Sequence, residues 1–170
     1  LQSELSAYQT GSLDMSRLSA DLFDKMKDDP AFTKKSHIFE YPVRFYFYIA
    51  WNLDGSNPFF QDKKVRQAMT LALNRPGIAD KVLKGHAVLC AGPGAPGGWE
   101  LDPAIKPLPY DAKKAIALLE EAGWKDSDGD GVRDKGGKPF EFECLYPAES
   151  GDYQRFLEFF QQDLRKVGVR

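Results

Sequence analysis

The stretch that most constrains what this chain can become is residues 43–53, Val-Arg-Phe-Tyr-Phe-Tyr-Ile-Ala-Trp-Asn-Leu. Aromatic and β-branched side chains suit a pleated, half-buried surface, and alternate residues of an extended chain point to opposite sides. The segment is therefore expected to be a strand, with Phe47, Ile49 and Trp51 on one face and Tyr46 and Tyr48 on the other. One set would pack inward while the other lines a cleft, and the pattern leaves open which is which. Asn52 would either reach the same cleft or fix the turn into the next helix. The uninterrupted run 45–51 is far shorter than the roughly 20 residues needed to cross a bilayer.

The rest of the chain alternates helix and strand signals, which predicts an α+β fold. A helix is expected over 4–9, ended by Gly11, then a strand over 13–18. A second helix over 21–27 is stopped by Asp28-Asp29-Pro30, and 35–41 reads as another strand before a boundary at Pro42. Beyond the turn Asp54-Gly55-Ser56-Asn57-Pro58, Asp62 can cap a helix with Val65, Ala68, Met69 and Ala72 on one face. Asn74 can cap the next, since Pro76 is tolerated in a first turn, and that helix is expected to run through Ile78, Val82 and Leu83 to Gly85. Residues 87–110 are dense in Gly and Pro and read as a surface loop. Asp111 caps a further amphipathic helix, Gly123 ends it, and Trp124 is placed for the hydrophobic contact of a Schellman cap. An acidic turn (126–134), a strand (140–146) and a helix with Phe156, Leu157, Phe160, Leu164 and Val167 inward complete the pattern. No internal repeat is apparent.

A chain of 170 residues can bury roughly 70% of its unfolded surface, enough for one sizeable core or two small ones. Its 12 Phe, 7 Tyr and 3 Trp exclude a disordered chain. The net charge of -2 comes from 23 basic and 25 acidic residues that are interspersed, with no basic stripe to follow a phosphate backbone, so nucleic acid is excluded as a partner. The chain opens without Met in what reads as a helix and stops at Gly168-Val169-Arg170 as another element is about to start, so a piece cut at both ends is expected. The missing export signal then says nothing of location. Cys90 and Cys144, if bonded, would close a loop of about 55 residues worth ~4 kcal/mol. They lack the spacing of a zinc site.

Catalysis finds little support. His37 and His86 sit in no motif and are expected to be exposed or locally bonded, and no Gly-x-Ser-x-Gly elbow occurs. Glu149-Ser150-Gly151 lacks partners, Glu120-Glu121 reads as a solvated helix face, and the Gly-rich loop lacks the Gly-Lys-Ser/Thr ending that cradles phosphate. The turn Asp126, Asp128, Asp130, Gly131 matches the opening of a calcium loop, where alternate carboxylates converge and Gly permits a sharp turn. Val132 could add its carbonyl and Asp134 act through a water, but the twelfth position, ordinarily a bidentate Glu, is Gly137. A turn rich in Asp and Gly simply because they make turns is the alternative.

The segments Trp51-Asn52-Leu53, Pro58-Phe59 and Asp62-Lys63-Lys64-Val65-Arg66-Gln67-Ala68 resemble the signature of family 5 extracellular solute-binding proteins, the peptide, dipeptide and nickel receptors of ABC importers. The series continues through Ala72-Leu73-Asn74-Arg75, Val82-Leu83-Lys84-Gly85, Tyr110-Asp111-Ala112-Lys113-Lys114-Ala115, Leu118 to Trp124, Asp128-Gly129-Asp130-Gly131, Gly137-Lys138-Pro139 and Gln161-Gln162-Asp163-Leu164. Thr10-Gly11-Ser12-Leu13-Asp14 adds to it. The resemblance implies a two-lobed periplasmic-binding-protein fold, with a mixed sheet and flanking helices. Residues 1–41 would be the tail of the first lobe and 42–170 the first half of the second. It further implies a receptor, not an enzyme, that closes on a peptide or other small solute and hands it to a membrane permease. Such a receptor would be periplasmic or extracellular, held at the cell envelope without spanning the membrane, and would require no cofactor. The rival is a calcium-dependent extracellular interaction module with no role in transport, resting on the acidic turn alone.

Overall fold

A computed structural model describes residues 2–41, 45–94, 97–147 and 151–170. The boundary expected at Pro42, the first two residues of the 43–53 segment, Ala95-Pro96 of the Gly/Pro loop and the Glu149-Ser150 turn lie outside the described residues.

Side-chain caps set most of the helices. In the N-terminal region α1 (Gln2–Gln9) is followed by Gly11 at φ 78°, the left-handed conformation that ends a helix without a Cβ clash. Ser19 Oγ accepts from the backbone N–H of Leu22 to start α2 (Ala20–Met26). The Asp28-Asp29-Pro30 stop works in two directions: Asp29 also caps a short helix, α3 (Pro30–Thr33), by accepting from Ala31 N–H with Pro30 in its first turn. Pro30 ends one helix and is preorganised to begin another.

The body is built on α4 (Lys63–Ala72) and α6 (Ala112–Glu121), which pack face to face. Asp62 and Asp111 cap them through Lys64 N–H and Lys114 N–H. Their contact buries Val65, Ala68, Met69, Ala72, Ala115 and Leu119 almost completely. Between them, α5 (Arg75–Lys81) begins with Asn74 accepting from Gly77 N–H. It is shorter than expected. The chain turns at Lys84 and Gly85, both at positive φ (51° and 82°), so Val82 and Leu83 belong to the exit rather than the helix. The cap of α6 is as expected: Gly123 at φ 87°, with Gly123 N–H donating to Glu120 O and Trp124 N–H to Leu119 O, which is the Schellman pair.

An aromatic cluster covers one end of this helix pair. Phe59 stacks on Phe140 at 4.8 Å, and Trp124 lies 4.6 Å from Phe140. On α7 (Gly151–Arg165), Phe160 and Leu164 close the same core, with Val167 and Val169 beyond the helix.

The sheet is smaller than the sequence patterns suggest. Among the described residues, the only paired strands are β1 (Asp134–Lys135) and β2 (Lys138–Pro139), an antiparallel hairpin with Asp134 opposite Pro139. Its two-residue turn is Gly136-Gly137, both at positive φ (62° and 74°), as the right-handed twist of a tight hairpin requires. Residues 13–18, 35–41, 45–53 and 140–146, expected as strands, form no ladder. The alternation that marks a strand reports which faces are buried and cannot supply a hydrogen-bond partner. One partial exception is Phe142 N–H donating to Arg170 O while Arg170 N–H donates to Phe140 O, a single parallel-type bridge. The mixed sheet with flanking helices is therefore absent among the described residues. No helix there is long and apolar enough to cross a membrane.

Candidate functional site

The extended segment 45–53 settles its orientation against α7 and the aromatic cluster. Trp51 stacks on Phe60 at 4.3 Å and meets Phe142 edge-on at 5.9 Å, and Ile49 packs on the same core. Phe47 sets its edge against Phe156 at 4.6 Å and Tyr153 at 5.2 Å. Ile49 and Trp51 are thus the packed residues, whereas Phe47 makes ring contacts on α7 yet stays 40% exposed, as much as Tyr46 at 39%. Tyr46 and Tyr48, 5.8 Å apart, form the outward face, and Tyr48 is 72% exposed. The clear contrast is between Trp51, stacked on Phe60, and Tyr48, open to solvent.

Asn52 holds the following turn. Its Oδ1 accepts from Asp54 N–H at 3.0 Å and its Nδ2 donates to Ser56 Oγ at 3.3 Å. Asp54 Oδ1 then accepts from Ser56 N–H at 2.8 Å, and Asn57 Oδ1 from Phe59 N–H at 2.9 Å. The Ser56 bonds hold the Asp54 carboxyl below its ordinary value. Three successive side-chain-to-backbone turns carry the chain into α4.

Beside Trp51 lies a shallow open recess of about 360 Å³, lined by Trp51, Lys63, Arg66, Gln67 and Thr70. Arg66 is committed to structure, since its Nη1 donates to Phe60 O at 2.7 Å and Gln61 O at 2.9 Å.

The acidic turn forms part of the cluster expected of it. Oxygens of Asp126, Asp128 and Asp130 lie within 4.8 Å of one another, all exposed. Each also caps the loop's own backbone: Asp126 accepts from Gly129 and Gly131 N–H, Asp128 from Asp130 N–H, and Asp130 from Val132 N–H. Asp134 stands apart, because its carboxylate accepts from the Ser127 N–H and hydroxyl and is held below its ordinary value by those bonds. Asp134 also begins β1, pairing with Lys125 in a single antiparallel bridge. The three clustered carboxylates thus also serve the turn's own hydrogen bonds.

Two side-chain assemblies carry no sequence signal. Arg133, only 9% exposed, donates from Nε to Val167 O at 2.8 Å and from Nη1 to Trp124 O at 2.9 Å. His86, expected to be exposed or locally bonded, instead reaches Glu40 and Asp24, 46 and 62 residues away. Its neighbour Lys84 pairs with Asp21 at 2.6 Å. Cys90 and Cys144 are both free thiols, and burial pushes Cys144 up.

Comparison with known proteins agrees with this architecture. The model of the bacterial extracellular solute-binding proteins, family 5 middle, matches residues 2–170. The oligopeptide-binding protein AppA of Bacillus subtilis is 40% identical over 126 residues, covering 73% of this chain and 23% of that protein. The nickel-binding periplasmic protein of Escherichia coli is 28% identical over 169 residues, 96% of this chain and 31% of that one. Among solved structures, NikZ from Campylobacter jejuni in complex with Ni(L-His) superposes with a TM-score of 0.81 at 29% identity, over 96% of this chain and 32% of its own. AppA in complex with a nonapeptide gives 0.63 at 38% identity, over 72% and 24%. The chain belongs to the family 5 extracellular solute-binding proteins. It spans about a quarter to a third of the length of the relatives named here.

Proposed function

We propose that this chain is part of the solute-capturing receptor of an ABC importer, taking oligopeptides or dipeptides and delivering them to a membrane permease. The observation that carries this is the 40% identity to an oligopeptide-binding protein within a family match running from residue 2 to 170. The receptor works at the periplasmic or extracellular face of the cell envelope, acts by binding rather than catalysis, and requires no cofactor. Solute binding stabilises a closed arrangement of two lobes, the shape that the permease recognises.

In this reading residues 1–41 are the tail of the first lobe and 42–170 the first half of the second. The distribution of the core supports the division. The main buried cluster draws on α4, α6, α7 and the aromatic residues around them, while Leu5, the one fully buried residue of α1, lies outside it. Tyr46 and Tyr48 line the cleft, as two rigid amphipathic rings on the unpacked face of a segment fixed from behind by Phe47, Ile49 and Trp51. Flat rings and main-chain contacts accept varied peptide side chains.

Calorimetry on a receptor of family length carrying this segment tests the proposal, with a mixed peptide library and then nickel–histidine. Saturable peptide binding supports it. The likeness to NikZ over 96% of the chain favours a second reading, a metal chelate as cargo, and binding of nickel–histidine with no binding of peptides would establish that instead. This 170-residue segment alone is expected to bind neither at micromolar concentration, because the site draws on both lobes. Calcium titration followed by thermal unfolding tests the turn 126–134. A large rise in Tm would add a calcium site to the receptor reading.

A further inference from the structure

The most distinctive unassigned assembly of titratable groups joins the N-terminal helices to the body. On one side, α2 presents Asp21 and Asp24, and the extended chain before residue 41 presents Glu40. On the other, the turn after α5 presents Lys84 and His86. Lys84 Nζ lies 2.6 Å from Asp21 and 3.5 Å from Asp24, while His86 Nε2 is 3.4 Å from Asp24 and Nδ1 is 3.1 Å from Glu40. Phe23 of α2 sets its ring edge-on to the imidazole at 5.0 Å. Arg155 of α7 approaches Asp21 at 3.9 Å, and Lys27 sits 3.9 Å from Asp24 on α2 itself.

Two features mark this as more than surface charge. Lys84 has φ 51°, a left-handed conformation that L side chains other than glycine rarely adopt. The corner it makes aims both Lys84 and His86 at α2. The imidazole also has a carboxylate against each of its nitrogens. Neutral imidazole owns a single N–H and can donate to one of them, whereas imidazolium donates to both. Lys84, Arg155 and Lys27 serve Asp21 and Asp24 from other sides, while Glu40 faces the ring itself, so both ring contacts are made as donated hydrogen bonds only when the ring is charged.

We infer that His86, seated between Asp24 and Glu40, is a pH-sensitive clasp that fastens residues 20–41 to the body when protonated. The Glu40 hydrogen bond is the largest influence and raises the His86 pKa; burial opposes it, and the Asp24 bond adds to the rise, which is the net direction. The folded-state pKa therefore lies above the ordinary value of about 6.5. The clasp's contribution is then fully present below that ordinary value and lost as pH rises through the raised one. On the lobe division proposed above, on which this sense of the inference rests, the clasp runs from first-lobe side to second-lobe side. The pH of the compartment then sets how firmly the two are held, and with it how readily a closed receptor reopens.

The test uses the intact chain and does not depend on the division into lobes. His86 is titrated by NMR in the parent and in Glu40→Gln and Asp24→Asn, and hydrogen exchange of the α2 amides is followed from pH 5.5 to 8.5. The expected result is a midpoint above 6.5 that falls in both variants, with α2 protection weakening severalfold through the parent's midpoint. In His86→Gln that pH dependence is lost. A midpoint at or below 6.5, a midpoint unmoved by Glu40→Gln, or α2 protection indifferent to pH overturns the clasp and leaves the receptor reading intact. Glu40 is an exposed side chain, so its substitution tests the seat without threatening the fold.

Discussion

Replacing Arg133 with Met should be among the most damaging single changes in the body, although Arg133 belongs to no motif. Its guanidinium ties three pieces together: the C-terminal end of α6 through Trp124 O, the segment after α7 through Val167 O, and Glu120 through longer contacts of 3.5 and 3.4 Å. The backbone repeats the junction, with Arg133 N–H donating to Gly168 O at 2.7 Å. Hydrogen bonds from a charged donor are each worth about 1.5–3 kcal/mol, and a buried carbonyl left without a partner costs a comparable amount. The Glu120 contact adds under about 1 kcal/mol, since that carboxylate is half exposed and screened. Methionine keeps most of the apolar stem but leaves both carbonyls without the guanidinium, so the cost should be about 3–5 kcal/mol. For a domain of this size, about 2–4 °C per kcal/mol makes the fall in Tm on the order of 10 °C. Arg133→Lys should lose about half as much, because one ammonium cannot serve both carbonyls from the guanidinium's fixed fork. Thermal unfolding followed by circular dichroism reads all three variants, Glu120→Gln being the mild control. Arg133→Met within 2 °C of the parent would show that the fork holds nothing together.

Asp163 is the other buried charged residue among those described: it is 3% exposed, accepts from Asn74 N–H at 2.9 Å and pairs with Lys166 at 2.7 Å. Asp163→Ala should cost about 2–3 kcal/mol in urea unfolding and Asp163→Asn clearly less, because the amide oxygen can still accept from Asn74. Equal losses would contradict that reading. Trp51→Ala should cost about 2–4 kcal/mol by the same assay, whereas Tyr48→Ala on the open face should cost under about 0.5 kcal/mol, which checks the orientation of the segment directly. Ser127→Ala should let the Asp134 carboxyl rise toward its ordinary 3.8. The depressed pKa stabilises above that value and the effect is lost as pH falls through it, so the variant's stability should approach the parent's in strong acid. An NMR titration of Asp134 identical in both would rule out Ser127 as the cause.

How legible each feature was follows from how local its cause is. Asp62, Asn74 and Asp111 could be read as caps because each bonds to a backbone N–H two or three residues ahead. The Gly123-Trp124 ending of α6 closes within five residues. Residues 45–53 and 140–146 were legible as extended and two-faced but not as unpaired, because pairing is decided by segments far away in sequence. The β1–β2 hairpin had a local signal in Gly136-Gly137 that the calcium-loop spacing obscured. Nothing local could reveal that Arg133 is buried or that His86 meets Asp24 and Glu40, since charged side chains ordinarily face solvent and these partners are distant. For the candidate site, the sequence located Tyr46, Tyr48, Phe47, Ile49 and Trp51 on alternate faces, and it took the distant Phe60 to show Trp51 packed while Tyr48 stays open.

The measurement that bears most directly on the proposed receptor is the peptide dissociation constant of the family-length protein with Tyr46 and Tyr48 replaced by Ala, beside its Tm. The expected result is at least a tenfold weaker Kd with Tm within 2 °C of the parent, since in the proposed function these rings meet the solute while Trp51 and Ile49 carry the packing. An unchanged Kd in the double variant would mean that this face does not meet the solute, and the site would have to be sought elsewhere.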